Sequence, residues 1–461
     1  MNARWPVILG MLAVVPGLAA QTAGPATDAK AKSQSQAKPK PKPKPRDPRA
    51  LDKTPPPDDE GEDLRPFTLS TEGAIRMLEG RLKDDPNDVA SRLMLGEMHV
   101  RHAHEAGDLA GFERAEACFR AVQKARPTDR RAQLMLAMVL CDRHKFAEAM
   151  AMARRVAAKN PKNIDAMATI ADANLELGRY DEAEAGCKAL MKLTPEPPVM
   201  ARVARLAELR GKTDEAIALL RRAGDEERLA GAREGSLWYR VRVGDILFDA
   251  GRLDEAEKAI AGVLAESPDH HDATYSLGRI RAAQGRLSEA IALEEKAVGI
   301  AAEPPMLGLL GDLYQKAGRD ADARATFDRL EALTAKHDEY RRERAIYYLN
   351  HDVKLAEALA LARKDVADRG DIFGHDTLAW ALLKNGQAAE AAAEIDKALK
   401  LGTRDAKLYY HAGMIHARLG DTAKARDFLA RALALNPHFS ALQADDARKT
   451  LDSLGGPEKA G

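Results

Sequence analysis

LWYRVRVGDILFDAGRLDEAEKAIAGVLAESP, from Leu237 to Pro268, is the stretch on which the fold turns. It reads as two helices joined by a tight turn: Gly251 suits a left-handed cap on the first, and Pro268 stops the second. Gly244 and, twelve positions on, Ala256 mark where the two helices come close together. The same marks recur along the chain. A small residue stands at Gly96, Ala137, Ala171, Ala204, Gly244, Gly278, Gly311, Ala345, Ala379 and Gly413, with gaps of 41, 34, 33, 40, 34, 33, 34, 34 and 34 residues. The twelve-residue alanine follows at Ala149, Ala183, Ala216, Ala256, Ala290, Ala323, Ala391 and Ala425. A fixed period near 34 is the signature of stacked repeats sharing one continuous core.

Within a unit the second helix is amphipathic. In YDEAEAGCKALMKLTP, Ala183, Cys187 and Leu190 fall on one face with charges opposite. First helices end at Gly178, Gly211, Gly251, Gly285, Gly318, Gly386 and Gly420. The spacing predicts that Gly or Ala of the first helix meets Ala of the second. The beat stumbles in three places. Ala115 lies nineteen rather than twelve after Gly96, implying seven inserted residues around HAHEAGD; six extra residues precede the fifth unit; and Ala358 comes one late in the eighth. These irregularities are expected to shape the groove or alter the superhelical pitch.

The pattern resembles the tetratricopeptide repeat, carried by the Leu237–Pro268 stretch and by KLYYHAGMIHARLGDTAKARDFLARALALNP from Lys407 to Pro437. Over about residues 80–442 the resemblance implies an all-α, right-handed α–α superhelix of about ten helix-turn-helix repeats. Residues 67–230 and 231–442 are read as N- and C-terminal repeats, and 443–461 as a capping helix and tail. The resemblance also implies a concave surface lined by first helices, often the seat of a peptide or of another protein's helix. Positions six and three before each small residue, and one and four after it, tend to face it. Those positions give the candidate groove residues Arg205, Glu208, Trp238, Asp245, Tyr275, Arg279, Trp380 and Tyr410, with Val241, Phe248, Asp272, Ala282, Phe373, Asp376 and Met414 beside them. Aromatics beside arginine and carboxylates suit a segment that needs both apolar anchoring and orientation.

Catalytic patterns are absent from the sequence. There is no G-x-x-x-x-G-K-[ST] phosphate loop, no G-x-S-x-G elbow and no H-E-x-x-H. His99, His102 and His104 cannot all share one helical face, and Asp269-His270-His271-Asp272 reads as a polar turn entering a helix. No metal, cofactor or catalytic residue is expected. His411, in Tyr-Tyr-His-Ala-Gly, reads as a core histidine bonded to a backbone carbonyl. Cys118, Cys141 and Cys187 match no metal spacing and read as small buried hydrophobes.

Lys+Arg and Asp+Glu both total 71, so the chain as a whole offers no field for nucleic acid. Residues 1–20 read as a secretory signal: Arg4, a short apolar run VILGMLAVV, a Pro16-Gly17 break, and Ala19 and Ala20 before Gln21. The alternative is an uncleaved anchor; no later segment spans a membrane. Residues 21–66 are a low-complexity linker centred on KPKPKPKPR, extended as polyproline II, serving either as a soluble tether or as a contact for anionic envelope polymer. The expected compartment is a bacterial periplasm. Two functions from different classes remain open: a non-catalytic scaffold binding protein or peptide in the groove, and a binder of envelope polysaccharide or peptidoglycan. A metal-dependent enzyme is the remote third.

Overall fold

A computed structural model describes residues 70–455, and every regular element among them is helical. The signal segment and the Lys/Pro-rich linker lie outside the described residues. Ten helix pairs follow one another, flanked by Thr71–Asp84 at the start and Gln443–Ser453 at the end. Unit 1 pairs Val89–Ala106 with Leu109–Ala125; unit 4, Pro197–Leu209 with Thr213–Leu229; unit 5, Arg233–Asp249 with Leu253–Glu266. Units 6 to 10 begin at His271, Pro304, Arg341, Ile372 and Ala406. The pairs stack into a right-handed solenoid of ten repeats, as the period requires. No helix among the described residues is long and apolar enough to cross a membrane.

The small residues do sit at close crossings, but their partner differs from the expected one. A Cβ added at Gly311 would lie 2.2 Å from Phe327, one at Gly413 2.6 Å from Leu429, and one at Gly244 2.4 Å from Ile260. Each of these partners lies sixteen residues on, four beyond the alanine. The small residue therefore makes room for a large apolar side chain of the second helix. The alanine, buried at 256, 323 and 425, lets the backbones approach one turn earlier.

The two insertions form extra helix rather than loops. In unit 1 the helices reach 18 and 17 residues, and the second helix of unit 4 and the first of unit 5 are 17 each, against 13 or 14 in unit 3. Unit 8 is irregular as its register suggests. Its first helix, Arg341–Asn350, has only ten residues, and Asp352 and Lys354 both adopt positive φ in the turn that delays Ala358 by one place. All three cysteines are free and buried.

The superhelix closes on itself. The turn inside unit 3 packs on the loop between units 8 and 9, where Ile372 N–H donates to the Tyr180 hydroxyl at 2.8 Å. Thr403 Oγ1 likewise donates to the Leu209 carbonyl, and Asn436 Nδ2 to the Phe248 carbonyl at 2.8 Å. His144 Nδ1 lies 2.9 Å from the Glu339 carbonyl. Each turn thus meets the loop that follows the unit five places further on. The added turn of unit 1 joins the same seam, with Gly107 against Ala301.

The seam explains two glycines beyond their left-handed φ. A Cβ at Gly178 would lie 2.1 Å from the Gly370 carbonyl oxygen, and one at Gly251 2.3 Å from that of Leu435. Gly318 has the same φ of 71° as Gly178 and open space around it. Gly318→Ala is expected to cost about 1–2 kcal/mol from backbone strain alone. Gly178→Ala should cost at least about 1 kcal/mol more, since the seam must part to admit the methyl group. Equal urea midpoints for the two variants would show that the turns do not touch.

Candidate functional site

Closure turns the expected open groove into a cavity of about 380 Å³. The three N-terminal units contribute only the turn ends of their helices, from Ala103 to Phe112, Asp142 to Phe146 and Leu175 to Tyr180. Units 5 and 6 present whole faces, and the C-terminal helix adds Gln443, Ala444 and Arg448 to the wall.

Six of the eight candidate residues line this cavity: Arg205, Trp238, Asp245, Tyr275, Arg279 and Trp380. Val241, Phe248, Asp272, Ala282, Phe373 and Asp376 join them. Arg279 lies 4.2 Å over the Phe248 ring and 5.8 Å from that of Tyr275, while its Nη2 donates to Asp249 at 2.6 Å. Asp245 accepts from Arg242 Nη1 at 2.9 Å and from Ser276 Oγ at 2.6 Å. Burial nonetheless keeps its carboxyl above the ordinary value, against the pull of both arginines. Arg205 stands 5.4 Å from the Phe373 ring.

Two candidates fall elsewhere. Glu208, at the turn end of its helix, pairs with Arg205 at 2.9 Å and stays off the wall. Tyr410 packs between unit 10 and the cap, with its ring 5.5 Å from Phe439 and its hydroxyl donating to Asp446 at 2.6 Å. In the last unit this position is covered by the capping helix. Met414 also lies off the wall.

The cavity gathers residues the sequence reading passed over. Asp142 lies on the wall, and burial pushes its carboxyl up to about 8. Arg342 bridges two carboxylates, with Nε 2.6 Å from Asp365 and Nη1 3.0 Å from Asp371. Asp371 also caps the helix of unit 9, accepting from the Phe373 and Gly374 amides at 2.9 and 3.1 Å. Lys407 stands six before Gly413, a position the spacing rule itself selects. His411 is bonded through Nδ1 to Asp376 at 2.8 Å, not to a backbone carbonyl.

His271, Asp272 and Glu303 bring one ligand atom each within 4.8 Å of one another at this wall. Asp272 is in the first turn of a helix and Glu303 is the N-cap of the next. Their charges there complement helix dipoles, which would oppose a cation. His270 caps its own helix, its Nδ1 3.4 Å from the Ala273 amide, so DHHD is a turn leading into a helix.

Stacked helix pairs whose first helices wall one inner surface define a helical-repeat protein rather than an α/β enzyme scaffold. The chain belongs to the tetratricopeptide repeat family, which matches residues 100–164, 243–305 and 377–438, with a further match over 140–206. No curated protein matches the chain. Among solved structures it is similar to a tetratricopeptide repeat protein from Parabacteroides merdae ATCC 43184, at 17% identity over 57% of this chain and 99% of that one, TM-score 0.34. It is also similar to the APC/C hetero-tetramer Cut9-Hcn1, at 14% identity over 84% and 81%, TM-score 0.39. The yeast Tom70 matches at 13% identity over 83% and 92%, TM-score 0.32. The family's repeats mark protein-binding scaffolds and are typically non-catalytic.

Proposed function

We propose that this chain is a non-catalytic scaffold or assembly factor of the bacterial cell envelope, exported through residues 1–20, which holds a short extended segment of a protein partner at its inner wall. One observation carries the reading: Trp238, Tyr275, Phe373 and Trp380, contributed by three separate units, converge on a single cavity among charged groups. Such a wall suits apolar anchoring with polar orientation. The Lys/Pro-rich linker would set the reach of the array from the membrane surface.

Immobilised protein should capture the same partner reproducibly from an envelope extract, and Trp238→Ala with Phe373→Ala should reduce that capture at least tenfold. Deleting residues 21–66 should leave capture by the purified array intact. Salt-sensitive retention on peptidoglycan or polysaccharide, unaffected by the cavity variants and with no reproducible protein, would overturn the scaffold reading in favour of a polymer binder.

A further inference from the structure

Lys407 is set apart from the other cations on the cavity wall. Those cations pair with carboxylates, as Arg242 does with Asp245 at 2.9 Å and Arg279 with Asp249 at 2.6 Å. Lys407 Nζ makes no hydrogen bond or ion pair among the described residues, and burial pulls its ammonium down to about 8 with no carboxylate opposing. Lys407 is half-buried, so its cation is partly withdrawn from water and would be stabilised by an anion at its side. Its backbone position adds to the demand. Lys407 lies in the first turn of Ala406–Arg418, where the helix dipole already favours negative charge.

Beside it are two buried nitrogens without partners. Lys407 and His411 are one turn apart on one helix, and Asp376 and Trp380 are one turn apart on Ile372–Lys384. The His411 and Trp380 rings stack at 4.4 Å with an interplanar angle of 17°, which fixes the two ridges side by side. Trp380, 4% exposed, has no acceptor for Nε1–H, and His411, 7% exposed, has no partner for Nε2. Both residues wall the cavity. Buried polar atoms are nearly always satisfied, so an indole N–H without an acceptor beside an unpaired ammonium marks the place of a missing anionic ligand; His411 Nε2, an acceptor because Nδ1–H goes to Asp376, is not part of that pair.

We infer that the cavity carries a binding site for a small organic anion, whose carboxylate is held by Lys407 Nζ and Trp380 Nε1–H, the indole being oriented by its stack on the His411 ring, and whose apolar body rests on the Phe373 side of the wall. The volume of about 380 Å³ falls in the range of small-molecule sites, roughly 300–1,000 Å³. This goes beyond the scaffold reading and stands without it, because it needs no protein partner.

Phenylacetate titrated into the purified full-length chain is the test, with uncharged phenylacetamide and inorganic phosphate as comparisons. Tryptophan fluorescence reports occupancy and the thermal midpoint reports stabilisation. Phenylacetate should change the fluorescence and raise the midpoint, while phenylacetamide and phosphate bind at least tenfold more weakly. Lys407→Met should lose at least tenfold in phenylacetate affinity while remaining folded. Trp380→Phe, which keeps a ring to stack on His411 but loses the N–H, should weaken binding severalfold. Absence of phenylacetate binding at millimolar concentration, equal binding of phenylacetamide or phosphate, or unchanged affinity in Lys407→Met would each overturn the assignment.

Discussion

Replacing Arg342 with methionine is expected to destabilise the protein by about 3–5 kcal/mol, the usual cost of stranding buried charges by removing their partner. The guanidinium serves two carboxylates at once. Asp365, 1% exposed, is held at 2.6 Å, and Asp371, 5% exposed, takes two parallel bonds. Arg369 holds the other oxygen of Asp365 at 2.7 Å. Burial pushes the Asp365 carboxyl up, but the two guanidinium groups outweigh it and hold it below its ordinary value of 3.8. A depressed carboxyl contributes stability above its unfolded value and loses it as pH falls through the folded one. Without Arg342 the same carboxyl is freed to rise, so the gap between variant and wild type should narrow as pH falls towards 4. Arg342→Lys should recover only part of the loss, since an ammonium cannot span both carboxylates with a planar fork. Urea midpoints at pH 7 and pH 4.5 read both effects, and an unchanged midpoint at pH 7 would falsify the bridge.

Glu294→Leu should do the opposite and stabilise the array by about 3 kcal/mol at pH 7, combining the gain of a buried leucine with relief of an unpaired buried carboxyl. Glu294 is 0% exposed, and neither oxygen has a hydrogen-bond partner. It occupies the place held by Ile260, Phe327 and Leu429 in other units, against Gly278. Burial drives its carboxyl well above 4.5, opposed only by Arg279. Because the folded state retains the proton more tightly than the unfolded chain, stability falls as pH rises above 4.5, by about 1.4 kcal/mol per unit at most, until the folded value is reached. The leucine variant should lose that part of the slope, and its advantage should grow between pH 5 and pH 8. A variant no more stable than wild type at pH 8 would mean that Glu294 has a partner in solution.

What could be read from the chain was local or periodic. Gly178, Gly211, Gly251, Gly285, Gly318, Gly386 and Gly420 all adopt the left-handed φ that their place at a helix end demands. The ten helix pairs fall where the beat puts them. The position rule also found most of the cavity wall, because the geometry of one helix pair determines which side faces inward. Closure was not legible. It depends on a carbonyl at Gly370 reaching a turn at Gly178, and no short pattern joins residues so far apart. Lys407 was missed for a different reason. A lysine reads as a solvated surface residue until the fold places it on the cavity wall, and Tyr410 obeys the spacing rule, which describes a repeating unit and does not say that the capping helix expected at 443–461 covers this position in the last one.

The seam changes how the array must assemble. In an open solenoid each unit depends on its immediate neighbours, and the structure can grow or fray one unit at a time. Here the hydrogen bonds of the seam join residues 188 to 195 positions apart. Those contacts raise the contact order and form only after the intervening units are in place. Interactions absent from the folding transition state slow unfolding without speeding folding. The seam thus acts as a late clasp: it confers persistence on an architecture otherwise prone to peel from its ends.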